Sequence, residues 1–314
     1  MPNHFSASGA WVPRSLVPRG LAALLCAVAL AACRPSPPAL VSAPPVESLL
    51  ELAAEVRRHS LHDFYQRPWP RDAGGLNPFR AGLVRIANIE TLHPGEQQDA
   101  LAFLRGECLM LLRDYEAAAR EFARCAAMPG DLRQPALDRR AAMLAFHRAI
   151  QPAEQAASLE DALGVLDDMR EATRLLVAQY PDPPLRTLAL LENEQADVAH
   201  ARFLTEHMAV TEGGPAEAVE AWEGVIERHA TSYRVMRHRL ALGSLYERLA
   251  HDYLERHPPE TQLFEQAVFL RVARLARDEF IAVAVADGFR ERPIGQGRLA
   301  ALNALIQDVL QAAE

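Results

Sequence analysis

The 314-residue chain is half hydrophobic, which is enough for one large core or two smaller ones. Aromatic residues make up only 6% while alanine and leucine dominate, so helix is favoured over strand. The formal net charge is −8, all 33 basic residues are arginine and no basic run occurs, so nucleic acid is not expected as a partner.

The first 32 residues have the pattern of a secretory signal peptide. Two arginines precede an apolar run from 21 to 32, which is too short to span a membrane in the mature protein. The run ends in LAAC and resembles the lipobox of bacterial lipoprotein precursors. That resemblance implies cleavage before Cys33 and attachment of lipid, such as palmitate, to this residue. Because Arg34 follows instead of an aspartate, it also implies release to the outer membrane of a Gram-negative cell, facing the periplasm. An ordinary secretory signal with an incidental cysteine and an uncleaved anchor are the alternatives.

Residues 33–46 hold five prolines and predict an extended tether before a helical domain over 47–314. At ~3.1 Å per residue the tether would span roughly 40 Å. A disordered leader without a spacing role is the alternative.

An aromatic segment over 59–79 follows the first predicted helix. Roughly twenty residues without helical periodicity are unusual inside a compact domain. We interpret the segment either as an aromatic plug over the apolar end of a helical stack or as a binding loop. His59 and His62 have a spacing that suits a metal pair, but no third ligand lies close in sequence, so no metal site is expected. The aromatic residues concerned are Phe64, Tyr65, Trp69 and Phe79.

Helices fill the rest of the chain, separated by proline and glycine breaks. The periodicity predicts them at 80–91, 97–112, 115–127, 134–149, 156–180, 184–211, 215–229, 232–256, 260–286 and 296–313.

The stretch from 99 to 128 predicts a helical hairpin. Two apolar stripes at helical spacing flank Arg113-Asp114. Gly106 and Ala118 put small groups where the two helices would cross, and Phe122 supplies bulk at the seam. The hairpin cannot bury its apolar faces alone, so neighbouring hairpins are expected to stack on it.

The hairpin, with its RDYEAAAREF turn, resembles a tetratricopeptide repeat. Residues 215–229 echo its second helix, and residues 240–249 echo its first, with Gly243 in the place of Gly106. The resemblance implies an all-α fold, an irregular right-handed α-solenoid of stacked helical hairpins. The apolar helices over 260–314 are expected to cap it, or alternatively to offer a face that docks on another protein or the membrane.

Cys108 and Cys125 lie one on each helix of this hairpin, on or beside the apolar seam. The periplasm would permit a disulfide between them, provided that their Cα atoms come within ~7 Å. Two buried free thiols that act as small hydrophobic groups are the alternative.

The sequence contains no metalloprotease, nucleophile-elbow, phosphate-loop or paired-cysteine motif. We therefore expect no enzymatic activity, no cofactor and no small-molecule substrate. The acidic pairs Asp167-Asp168 and Glu192/Glu194 are predicted on solvated faces. The scattered histidines are expected at surfaces or seams; they include His200, His207, His229, His238, His251 and His257.

The resemblance implies a protein that binds periplasmic or outer-membrane proteins in a groove lined by the first helix of each hairpin. The groove residues predicted by this analogy are Phe103, Glu107, Met110, His200, Phe203, His207, Arg237, Ser244 and Arg248. A periplasmic cell-wall enzyme and a self-associating structural lipoprotein are the alternative functions.

Overall fold

The computed structural model describes residues 45–68, 77–151 and 158–313. These residues form eleven α-helices and contain no β-strand, so the predicted all-α class is confirmed. The predicted signal peptide, Cys33 and the tether up to residue 44 lie outside them. Residues 45–314 form a compact unit by themselves.

The helices pack in chain order as stacked hairpins. The right-handed sense of the stack stays a prediction. The helices are α1 (Pro45–Ser60), α2 (Pro78–Leu92), α3 (Gln98–Leu111), α4 (Tyr115–Ala126), α5 (Arg133–Ile150), α6 (Leu159–Gln179), α7 (Leu185–His207), α8 (Gly214–Arg228), α9 (Val235–Arg256), α10 (Gln266–Ala284) and α11 (Arg292–Ala312).

Two hairpins share the same close approach at a glycine. A Cβ atom on Gly106 of α3 would lie 2.7 Å from the Phe122 ring of α4. A Cβ atom on Gly243 of α9 would lie 2.7 Å from the Phe280 ring of α10. Both rings are fully buried, so only glycine lets the paired helices come this close. The small residue predicted at the crossing of 99–128 is therefore confirmed, and the second hairpin repeats it.

The turn between α3 and α4 is set by two polar residues. Arg113 adopts a left-handed φ of 67°, which ends α3. Asp114 then caps α4, because its side chain accepts a hydrogen bond of 3.1 Å from the Ala117 amide. This conformation directs the Arg113 side chain toward α7, where it is used in the site described below.

The described residues bury two hydrophobic cores that meet at α7. The first core contains Phe122 and Phe146 and includes Leu191 from the first half of α7. The second contains Phe280 and includes Leu204 from the second half of α7. Helix α7 is therefore the element that both cores share.

Three helix ends differ from their predicted positions by four residues or more. Helix α10 begins at Gln266 instead of 260, because residues 258–264 form turns that follow Pro258-Pro259. Helix α11 begins at Arg292 instead of 296, with Pro293 in its first turn, where a missing N–H costs least. Helix α7 ends at His207, and residues 208–210 form a turn.

The described part of the aromatic segment packs inward. Phe64, Tyr65 and Phe79 are buried in the first core. The Tyr65 carbonyl accepts a hydrogen bond of 3.0 Å from the Tyr233 amide, in the connection between α8 and α9. These residues therefore connect the segment after α1 to the middle of the stack. The two roles considered for the whole segment, an aromatic plug and a binding loop, stay predictions. Trp69 lies outside the described residues.

Candidate functional site

The residues predicted to share one groove lie at separate places. Phe103 and Glu107 of α3 line an apolar cavity beside α1. Arg237, Ser244 and Arg248 of α9 line a groove between α7 and α9. These five residues line concave surfaces on first helices of hairpins, but at two separate places. That they bind a partner stays a prediction.

Four residues are wrongly assigned to the groove. Met110 is fully buried in the first core. His200 Nε2 lies 3.3 Å from Asp167 Oδ1 of α6, and the rings of Phe203 and His207 stack with centroids 4.3 Å apart. Because α7 is buried on several sides, it has no single apolar stripe from which the sequence could orient it. The α7 face that lines the groove carries Gln195, Val198, Ala199 and Arg202.

The apolar cavity has a volume of about 560 Å³ and opens beside the full length of α1. On α1 its wall includes Val46 and Leu50, at helical spacing, and it continues at Leu61 in the turn that follows the helix. These three side chains are 49%, 65% and 65% exposed. Phe103 of α3 lies opposite and packs edge-on against Phe122, with ring centroids 5.5 Å apart. The cavity is thus an open, mainly apolar surface with one rigid aromatic wall.

One buried ion pair lies on the wall of the apolar cavity. Arg139 Nε of α5 is 2.9 Å from Glu107 Oε1, at an angle that leaves this oxygen without a directed hydrogen bond. Burial raises the pKa of Glu107 and outweighs the opposing charge of Arg139. The cavity therefore combines an apolar surface with one incompletely satisfied carboxyl group.

The groove between α7 and α9, here called the arginine groove, is defined by Arg202, Arg234, Arg237, Ser244, Arg248 and Arg290. Its main cavity has a volume of about 650 Å³. An adjoining cavity of about 490 Å³ shares Arg202 and Ser244 with it and extends to Arg248, so the two form one continuous groove.

Helix α7 carries three acidic residues, Glu192, Glu194 and Asp197, whose burial was not predicted from the sequence. Glu192 accepts two hydrogen bonds of 2.6 Å from Arg113 Nε and Nη2, and one from the Tyr115 hydroxyl. Its side chain is only 3% exposed. The prediction that Glu192 and Glu194 lie on a solvated face is wrong, because both receive cationic partners from distant parts of the chain.

Glu194 lies next to the arginine groove. His238 Nε2 donates to its Oε1 at 2.8 Å, and Arg234 Nη1 to its Oε2 at 3.3 Å. Burial opposes ionisation, but the hydrogen bonds from His238 and Ser232 outweigh it and lower the pKa of Glu194. Glu194 is thus an ionised group whose charge is already matched by its neighbours.

Asp197 is the third acidic residue and contacts three donors. Arg170, Arg228 and His229 donate to it at 2.8, 2.9 and 3.0 Å. Burial would raise its pKa, but the hydrogen bonds from His229 and the two arginines outweigh this effect and lower it.

A buried chain of hydrogen bonds continues from Asp197 to the aromatic segment. His229 Nε2 donates to Asp197, and its Nδ1 lies 2.8 Å from the Tyr65 hydroxyl oxygen. Burial and the charge of Glu194 raise the pKa of Tyr65. Tyr65 and His229 are 3% and 2% exposed, so this arrangement is closed to solvent and serves to hold the segment in place.

The two described cysteines are free and buried, as the alternative to a disulfide predicted. They face different neighbours: Cys108 Sγ packs against Gly82 of α2, whereas Cys125 Sγ lies 4.0 Å from the Leu132 carbonyl oxygen before α5. Burial raises the pKa of both thiols, that of Cys108 to about 12.

Within the three described ranges, no group of three His, Cys, Asp or Glu side chains converges as metal ligands. None of the helices in these ranges has the length and apolarity needed to span a bilayer.

No protein-family model matches the chain, and no curated protein is significantly similar to it. Function is therefore inferred from the geometry of the two surface sites.

Proposed function

We propose that this protein is a membrane-anchored periplasmic lipoprotein that binds another envelope protein through the apolar cavity. The anchor is proposed from the lipobox-like residues that end in Cys33. The single observation that supports partner binding is the apolar cavity beside α1, where Val46, Leu50 and Leu61 are about half exposed or more. Exposed apolar surface of this kind costs free energy until a partner covers it.

The shape of the cavity favours an amphipathic helix as the bound segment. Helix α1 has 16 residues and is therefore ~24 Å long, which is about four helical turns. Its cavity-lining face repeats at helical spacing, so a second helix laid along it would bury apolar side chains at matching intervals.

Photocrosslinking in cells tests the partner-binding proposal. A photoreactive residue replaces Leu50 in the cavity and, as a matched control, Leu175 of α6, which is 53% exposed and lines none of the cavities described above. We expect a discrete adduct with one envelope protein from position 50 and none from position 175. The adduct should disappear when Ala100→Trp fills the cavity while the thermal unfolding temperature is retained. Equal labelling from both positions, or no adduct at position 50, would refute the proposal.

The anchor is tested separately. Mass spectrometry of the protein from its native envelope should find acyl chains on Cys33, and Cys33→Ala should release the protein from membranes. An unacylated residue 33 would refute the anchoring part but leave the cavity proposal intact.

A further inference from the structure

The arginine groove collects positive charge on a protein whose net charge is −8. Five arginines and two glutamates line its two cavities. Arg202 and Arg237 are exposed and have no carboxylate within ion-pair distance among the described residues. Their charges are therefore available to a ligand.

The acidic side chains near the groove do not neutralise it. Glu194 is buried and already bound by His238 and Arg234. Glu291 pairs with Arg290 at 3.0 Å. Glu206 is the only exposed carboxylate that lines either cavity. The groove thus keeps an excess of positive charge, with Arg202, Arg237 and Arg248 on its two sides.

The arginines follow a line. Arg237, Ala241, Ser244 and Arg248 recur at intervals of three and four on one face of α9, and Arg234 extends this spacing at the position just before the helix. From Arg234 to Arg248 this face extends ~21 Å, the length of about six residues of extended chain. Ala199 and Ala241 leave the space between the two helices open, since both line it with small side chains. A single phosphate would contact only part of this line.

We propose that the arginine groove binds an extended acidic segment of a polypeptide, whose Asp or Glu carboxylates pair with Arg202 and Arg237. Arg248 adds positive charge at the end of the groove, while its Nη2 donates to the Thr205 carbonyl oxygen at 2.6 Å. Arginine suits this role because its planar guanidinium forms two parallel hydrogen bonds to a carboxylate. Val198, Leu240 and Tyr233 line the same groove and accommodate the aliphatic parts of such side chains. This site is separate from the apolar cavity and does not depend on the membrane anchor.

Binding of a defined peptide tests the inference. Fluorescence anisotropy measures the affinity of residues 45–314 for a labelled hexaglutamate peptide and for its hexaglutamine counterpart. We expect saturable binding of the acidic peptide only, weakened about tenfold by Arg237→Gln and about tenfold by Arg202→Gln. Arg140→Gln is the matched control, since Arg140 is an exposed arginine of α5 without an ion pair among the described residues, and it should change the affinity less than twofold.

Each remaining outcome contradicts the inference. The inference fails if the peptide does not bind, or if all three arginine variants weaken binding equally. It also fails if inorganic phosphate or vesicles of anionic phospholipid compete at lower concentration than the unlabelled peptide, because the groove would then be a phosphate or membrane site. Circular dichroism confirms that each variant is folded. None of these results bears on crosslinking from position 50.

Discussion

Replacing Asp197 by asparagine tests whether the buried acids of α7 hold the stack together. The substitution keeps the size of the side chain but removes a charge that contacts Arg170, Arg228 and His229 at 2.8–3.0 Å. Removing one partner of a buried ion pair costs about 3–5 kcal/mol. The two arginines are 29% and 46% exposed and can regain water, and asparagine keeps one acceptor oxygen. We therefore expect the free energy of unfolding to fall by about 2–4 kcal/mol.

Asp167→Asn is the matched control. Asp167 also pairs with Arg170, at 3.0 Å, but its side chain is 54% exposed against 4% for Asp197. An exposed ion pair contributes less than about 1 kcal/mol. Urea unfolding of residues 45–314, followed by circular dichroism, gives both values from the midpoint and slope. Equal losses in the two variants, or a loss below about 0.5 kcal/mol for Asp197→Asn, would refute the reasoning.

The pH dependence of the same variant has a definite sign. The pKa of Asp197 is lowered in the folded protein, so its contribution to stability is fully present above about pH 4, the ordinary carboxyl pKa. It is lost as the pH falls toward the folded value. The difference between the parent protein and Asp197→Asn should be constant from about pH 5 to 7 and shrink below about pH 4. A difference that grows on acidification would contradict this assignment.

Four further substitutions are measured by the same unfolding assay. Tyr65→Phe should lower the free energy of unfolding by about 1–3 kcal/mol, because it leaves His229 Nδ1 buried without its hydrogen bond. An unchanged free energy of unfolding would show that this bond does not contribute to stability. Glu107→Gln should raise stability at pH 7, because burial raises the pKa of Glu107 and disfavours its charged form. That gain should vanish as the pH falls below about 4. A gain that does not depend on pH would show that the buried charge of Glu107 is not its cause. Gly106→Ala should destabilise by about 1–3 kcal/mol through its clash with the Phe122 ring. Gly164→Ala in α6, where a Cβ meets nothing within 4 Å, should stabilise the protein by about 0.5–1 kcal/mol. If both glycine variants changed the free energy of unfolding in the same direction, the packing argument would be refuted.

The hairpin over 99–128 could be predicted because its information is local. Gly106 and Phe122 are 16 positions apart on one pair of helices, and helical spacing alone brings them together. The same reasoning identified Gly243 as the counterpart of Gly106, and the structure places a phenylalanine ring against both.

The acidic residues of α7 could not be placed in this way. Glu192 meets Arg113 across 79 positions, and Glu194 meets His238 across 44. No local spacing predicts such pairs, so the acids had the pattern of a solvated face. One feature of the sequence was informative: a 23-residue helix with apolar and acidic residues on every side must bury some of the acids.

The same limit explains why the predicted groove divides into two sites. On α9 the buried residues Leu242 and Leu245 orient the helix, so Arg237, Ser244 and Arg248 were placed on the correct face. On α7 no such stripe exists, and the predicted face, which carries His200 and Phe203, is rotated away from the groove.

Helix α7 fixes the geometry of the arginine groove and holds together the elements around it. Its acidic residues bind groups from two connections in the stack: Arg113 between α3 and α4, and His229 and Arg234 between α8 and α9. A well-packed apolar helix would join two cores at lower desolvation cost, but it would not select one rotation about its own axis. Charged partners at fixed positions do select one rotation of the helix. We infer that these ion pairs orient α7, which supplies one wall of the arginine groove. Through His229 they also hold Tyr65, which follows α1, the wall of the apolar cavity.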